Sequence, residues 1–408
     1  MTVQLRYGRT GLFTCDVELE HVLAVQLVPP ALADVGAALR SALAKPIDFP
    51  PFARCIAPGD HLVLAVDRHT PEAPRLIAEL WRILAEQQVS ADDVLILQPA
   101  ALGSGPLSDP RTELPADVRE RIGWKIHDPT DASDEAYLAT TAAGERIYLA
   151  RELTDADLVV TVGEIAFDPV LGYRGTNSVL FPGLSSSAAI AKVHGQGQQE
   201  LGPDDERSLR ATVDEIGWLL GTQFSVQVIA GAGAGASAVL AGFDQSVFQR
   251  GRQVLAERWT VQLPERPELV VVAIEADAAG HGWNQLGAAL ATARNLVAKG
   301  GKVLVLSEIN AELDAGMELL RDAHEPRDAI KPLRKQAPPD LIAATQLASA
   351  TDWAHIYLLS KLDPELVDDL FMTPLDDERE AQRLVGTTEN CALLGGAQHI
   401  YGHINSDE

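Results

Sequence analysis

The sequence predicts an α/β protein with two α/β domains and mostly parallel sheets. Three observations carry that expectation. Short apolar runs of strand length, rich in valine, isoleucine and leucine, recur along the 408 residues. Segments with helical spacing of apolar residues separate them. A polar stretch holding Pro264 and Pro267 then divides the pattern in two. A strand of a parallel sheet is buried on both faces, so it reads as a continuous apolar run and not as an alternation.

The elements follow in order. Leu5-Arg-Tyr-Gly8 is strand-like and turns at its glycine, and 31–43 spaces its apolar residues along one helical face, stopping before Pro46. Gly59 to Asp67 contains a buried strand, Arg68 to Pro71 a turn, and Pro74 to Gln88 a helix with Leu76, Ile77, Leu80, Trp81 and Leu84 facing inward. Asp93 to Leu97 is the next strand. Ile122 to His127 is another, ending on His127 and Asp128, and Gly144 to Ala150 a further short one. The strand Asp157 to Gly163 leads into a glycine-rich loop that runs to Gly183, and Ser185 to Lys192 has helical spacing. A strand, a glycine-rich loop and a helix start in succession put backbone N–H groups at a strand's C-terminal edge, where α/β proteins bind ligands. Asp67, His127 and the loop after Gly163 each follow a strand, so one sheet edge could gather all three.

The glycines between Ile229 and Ala236 invite comparison with a dinucleotide-binding loop. A short strand-like run, Ala236 to Phe243, follows them, and the next helix, Gln245 to Trp259, starts after its own turn. That order predicts a β-hairpin and removes the only support for a nicotinamide dehydrogenase. The proline-bearing stretch places the domains at 1–263 and 268–408. In the second, Glu268 to Ile274 and Lys302 to Ser307 are strands, 280–285 a loop, 288–299 a helix. Residues 355–359 and 391–394 extend the sheet, and the tail from Gly402 is expected to fray.

Composition narrows the partners. A formal net charge of −25 repels nucleic acid and anionic membranes, and no run approaches the apolar length of a membrane span. Three widely separated cysteines fit no disulfide framework or metal spacing, and the N-terminus lacks a signal-peptide layout. A cytoplasmic protein with a small-molecule ligand is the expectation.

Several stretches, in one order, resemble the nickel-pincer lactate racemase family. They are Tyr7-Gly8, Ala42 to Pro46, Gly59 to Pro71, His127-Asp128, Gly144 to Gly163, Gly172-Tyr-Arg-Gly175 with Pro182-Gly183, and His194; Gly282 to Gln285 and Gly300 to Val303 also fit. The resemblance implies two α/β domains with the active site in the cleft between them. It implies a pyridinium-derived nucleotide that holds nickel and moves a hydride to and from the α-carbon of a 2-hydroxy acid, while histidines handle the hydroxyl proton. Carried across, His127 is a catalytic histidine, His194 the nickel ligand, and Gln285 a substrate-side glutamine. Asp67, Arg68, Thr70, Gly172, Arg174, Gly175 and Ser178 form the cofactor cradle. Asp168 stands where the family has a second catalytic histidine, Ser178 where it has the lysine that tethers the cofactor, Thr70 where it has an arginine, and Ala288 where it has a lysine. A serine cannot make the lysine's amide-type bond, so a nickel-pincer nucleotide here is expected to be held noncovalently. Two readings follow: a racemase or epimerase of a 2-hydroxy acid with an altered site, or a non-catalytic homologue that binds a nucleotide or small acid.

Overall fold

Both ends of the chain build one unit, Met1–Pro29 with Glu257–Glu408, and the middle, Pro30–Ala256, builds the other. The structure is a computed structural model that describes residues 1–100, 107–195 and 202–405. The alternating α/β pattern and the mostly parallel sheets are both present.

The chain opens with an antiparallel hairpin, β1 (Thr2–Tyr7) and β2 (Gly11–Asp16), followed by β3 (Val22–Gln26). These lie with the C-terminal half, which corrects the expected boundary at 1–263. The reason is apolar burial and pairing. Val3, Leu5, Phe13 and Cys15 pack on Leu269, Val271, Leu304, Leu306 and Leu393, and β3 pairs in parallel with a strand near the C-terminus, β19 (Cys391–Gly395). Each buried leucine or phenylalanine there is worth about 1.5–3 kcal/mol.

The middle unit carries β4 (Leu62–Val66), β5 (Val94–Gln98), β6 (Gly123–Ile126), β9 (Leu158–Glu164), β12 (Phe224–Ala230) and β13 (Ala236–Phe243). They form one six-stranded sheet in the order β13-β12-β9-β4-β5-β6, parallel except for β13. Alternate residues of β4 explain the continuous apolar run. Leu62, Leu64 and Val66 face the core beneath the helices Val35–Ala44 and Ala73–Glu86, while Val63 and Ala65 face Leu180, Phe181, Val213 and Ile216. Two small ribbons stand outside this sheet: β7 (Glu135–Thr140) with β8 (Arg146–Ala150), and β10 (Ala166–Asp168) with β11 (Gly172–Arg174). The glycine run closes the β12–β13 hairpin, with the Gly231 N–H donating to Gly235 O at 2.8 Å.

In the other unit, β15 (Leu269–Ala273), β16 (Lys302–Leu306), β17 (His355–Leu359) and β18 (Thr373–Leu375) join β19 and β3 in the order β18-β17-β16-β15-β19-β3, all parallel. The tail does not fray through residue 404: β20 (Tyr401–Ile404) pairs with β14 (Thr260–Leu263). The expected 280–285 loop also shortens, because a helix already starts at Trp283. Among the described residues no helix is long and apolar enough to cross a membrane.

Candidate functional site

In the middle unit the strand order reverses at β4. The chain runs β4, β5, β6 to one side and then places β9 on the other. Such a switch point leaves a crevice at the carboxyl ends of the two flanking strands. Asp67 follows β4 there, and Glu164 ends β9.

Asp67 is built into the edge. Its N–H donates to Val162 O of β9 at 2.8 Å, and its Oδ1 accepts the Arg68 N–H at 2.7 Å. Thr70 donates its hydroxyl to Asp67 O at 2.9 Å, so its side chain braces the turn. Arg68 reaches across β5's end to Ala100 O at 3.2 Å, and its Nε has no partner among the described residues.

Glu164 was not singled out in the sequence, yet it is only 3% exposed and pairs with Nη2 of Arg174. Desolvation alone would lower the Arg174 pKa; the carboxylates of Glu164, Asp67 and Asp168 outweigh it and raise the value. Arg174 Nε and Glu164 Oε1 are buried without partners among the described residues. Beneath them runs a polar column inside the sheet. Thr161 donates to Ser225 Oγ at 2.9 Å, and Gln227 Nε2 donates to the same oxygen at 2.9 Å. Gln227 Oε1 is left unpaired. A Cβ at Gly163 would lie 3.3 Å from that oxygen and 3.4 Å from Asp67 Cβ. The Glu164 and Gln227 signals existed in the sequence as polar residues inside otherwise apolar strands.

His127 follows β6, with β5 between it and β4. It is 1% exposed, and its Nε2 lies 2.9 Å from Ser185 O. A carbonyl only accepts, so Nε2 carries the hydrogen and Nδ1 presents a lone pair, buried and without a partner among the described residues. An imidazole fixed this way through its other nitrogen is the arrangement of a general base or a metal ligand.

The remaining candidates have local roles. Ser178 Oγ accepts the Gly175 N–H at 2.8 Å, and Asp168 Oδ1 accepts the N–H groups of Val170 and Leu171 at 2.8 and 2.7 Å. Gly175 has φ +121°, and a Cβ there would meet Ile165 Cγ1 at 2.7 Å; at Gly172, φ +77°, it would meet Pro203 O at 2.4 Å. These glycines let backbone and side chains approach. His194 lies half-buried in the last turn of the helix Ser187–Gly195.

The other unit has its own switch point, between β15 and β19. Gln285 belongs to it. Its Oε1 accepts the Gly282 N–H at 3.0 Å, half of a capping box, and its Nε2 donates to Asp277 Oδ1 at 3.2 Å. Asp277 also receives Gln398 Nε2 at 3.3 Å and lies 3.4 Å from His399 Nε2. Asp277, Gln398 and His399 were not singled out in the sequence; each follows a strand of this sheet.

Comparison with known proteins shows what the first half of the chain is similar to. Residues 7–201 match the lactate racemase N-terminal domain. This stretch is a lactate racemase-type domain. Over the full length of both chains the fold follows the lactate racemase apoprotein from Thermoanaerobacterium thermosaccharolyticum, with TM-score 0.80 at 16% identity. A protein from Thermotoga maritima aligns with TM-score 0.68 and 11% identity over 93% of this chain and 100% of its own. None of the curated proteins matches the chain. At such identities the structural likeness is one of fold, and the lactate racemase-like architecture is thereby established for this chain. The family is associated with a nickel cofactor. The imidazoles of His127 and His194 are donors that suit nickel, whereas the Ser178 hydroxyl is engaged in its own turn and cannot replace a tethering amine. Position 178 therefore offers no covalent bond to such a group.

Proposed function

We propose that this lactate racemase-like protein acts on a 2-hydroxy acid as a racemase or epimerase, with a noncovalently held nickel-pincer-type nucleotide. The observation that carries the reading is His127, with its N–H tied to Ser185 O and its Nδ1 lone pair buried and unpaired beside the β4–β6 edge. His194 would supply the metal ligand, and Asp67 with the loop 172–178 the surroundings of the nucleotide. When bound, that group supplies the acceptor for the α-hydride. His127 Nδ1 takes the hydroxyl proton as the carbonyl forms and returns it afterwards; the Ser185 carbonyl keeps the ring oriented throughout. Asp168 is turned into its own loop by Val170 and Leu171, so His127 acts without a second imidazole from that position.

The test is production of the chain alongside the enzymes that make the cofactor. Nickel analysis, mass spectrometry of what co-purifies, and exchange of the α-hydrogen of a 2-hydroxy acid are then measured. Stoichiometric nickel with exchange is expected, and His127→Asn is expected to slow exchange by about 10²–10⁴ with nickel retained. A metal-free product without exchange overturns the reading; nickel-free binding of an acid would leave the non-catalytic homologue in its place.

A further inference from the structure

Positions 70 and 288, where the resemblance places an arginine and a lysine, hold Thr70 and Ala288, neither of them charged. The switch-point edge nevertheless has a cation of its own in Arg174. Its partner Glu164 keeps 3% of its side-chain surface, while Arg174 keeps 30%. Arginine offers five N–H donors in a rigid fork. Glu164 engages Nη2 and so fixes the plane of the guanidinium, while Nε remains without a partner among the described residues. A carboxylate matches the unused part of that fork better than any neutral group.

The surroundings make a simple anion a poor ligand. Asp67 and Asp168 act on Arg174 together with Glu164, and Arg68 is the other cation beside Asp67. Two arginines thus face three carboxylates. An entering acid must return hydrogen-bond donors to that edge as well as offer a carboxylate to it. Glu164 Oε1 and Gln227 Oε1 are both buried acceptors without partners among the described residues, and leaving such atoms unmet is costly. A 2-hydroxy acid offers both halves: a carboxylate for the guanidinium and an adjacent O–H for an acceptor.

We propose that Arg174 anchors the carboxylate of the ligand and that Glu164, by orienting Arg174 and presenting an unpaired oxygen, selects 2-hydroxy acids over acids that lack the hydroxyl. This rests on the reading that the site takes a 2-hydroxy acid, but it requires neither nickel nor turnover.

Isothermal calorimetry on the full chain, without cofactor, tests it with glycolate, D- and L-lactate, malate and gluconate against acetate and propionate. The wild type is expected to bind at least one hydroxy acid about tenfold or more tighter than its counterpart without the hydroxyl. Arg174→Gln alone leaves a buried carboxylate unpaired and is prone to unfold, so the double variant E164Q/R174Q is used, which leaves no lone charge. Its melting temperature is expected to stay near that of the wild type while hydroxy-acid affinity falls about 10- to 100-fold. E164Q alone is expected to retain carboxylate binding and lose discrimination. Unchanged affinity in the double variant overturns the anchor and leaves the functional reading intact. Equal affinity of the wild type for lactate and propionate overturns the role of Glu164. Failure of the wild type to bind any of the hydroxy acids overturns the anchor, while the functional reading stands or falls separately on α-hydrogen exchange by protein made alongside the cofactor enzymes.

Discussion

Ser178 illustrates how one residue changes what a loop can do. A lysine there would project an amine; the serine turns back and accepts the Gly175 N–H at 2.8 Å. That bond stabilises the sharp bend in which Gly175 has φ +121° and Thr176 has φ +49°. Ser178→Ala is expected to cost about 0.5–1.5 kcal/mol in urea denaturation, the net worth of one intramolecular hydrogen bond. Ser178→Lys should cost a similar amount, since it removes the same acceptor. A loss below the error of the measurement in both variants would mean that the hydroxyl contributes nothing to the turn. Asp168 behaves in the same way, spending its carboxylate on two backbone N–H groups. His127 differs, because its bond to Ser185 O leaves one nitrogen unengaged. Which polar residues are spent on their own loops and which are left over depends on contacts many residues away. The spacing of Asp67, Asp168 and Ser178 in the sequence carries no sign of it.

At the scale of elements, a strand followed by a turn of polar residues was readable wherever the strand was buried on both faces, as with β4, β9, β15 and β16. Elements escaped where packing overrode local pattern. The helix start at Trp283 depends on Gln285 reaching back to the Gly282 N–H, and β20 exists because β14 offers it a parallel edge. His281 lies at the end of β16 in the same unit. Its Nε2 receives the Glu308 N–H at 2.9 Å and lies 2.9 Å from Ser307 Oγ. Burial lowers its pKa and outweighs the opposing effects of Glu275, Asp277 and Glu308. The neutral ring is therefore the form that the fold favours. A histidine with a folded pKa below its unfolded value contributes stability in full above the unfolded value, near 6.5, and loses it as the pH falls through and below that value. Stability should thus be flat above about pH 7 and decline as the pH falls below about 6.5. His281→Gln should lessen the decline, as read by denaturant midpoints across that range; an unchanged slope would assign the pH dependence to other groups.

At the scale of the molecule, the first 29 residues belong to the unit formed by Glu257–Glu408. The face of its sheet carrying Leu269, Val271, Leu304, Leu306 and Leu393 is covered by the β1–β2 hairpin. Residues 257–408 produced alone should expose that face, bind a hydrophobic dye and unfold without cooperativity. Co-expression with residues 1–29 should restore a cooperative transition, followed by calorimetry. A well-folded 257–408 fragment would show that the hairpin is an ornament of the unit. The sequence by itself determined the alternation of buried strands and helices, the hairpin at the glycine run and the likeness to lactate racemases. Each of these rests on local periodicity or on residue order. Only the tertiary structure decided that β3 pairs with β19, that Glu164 holds Arg174, and that His127 keeps an unpaired nitrogen. Those depend on which strands lie side by side and which polar atoms are left without partners once they do, and neither quantity is written in any one stretch of chain.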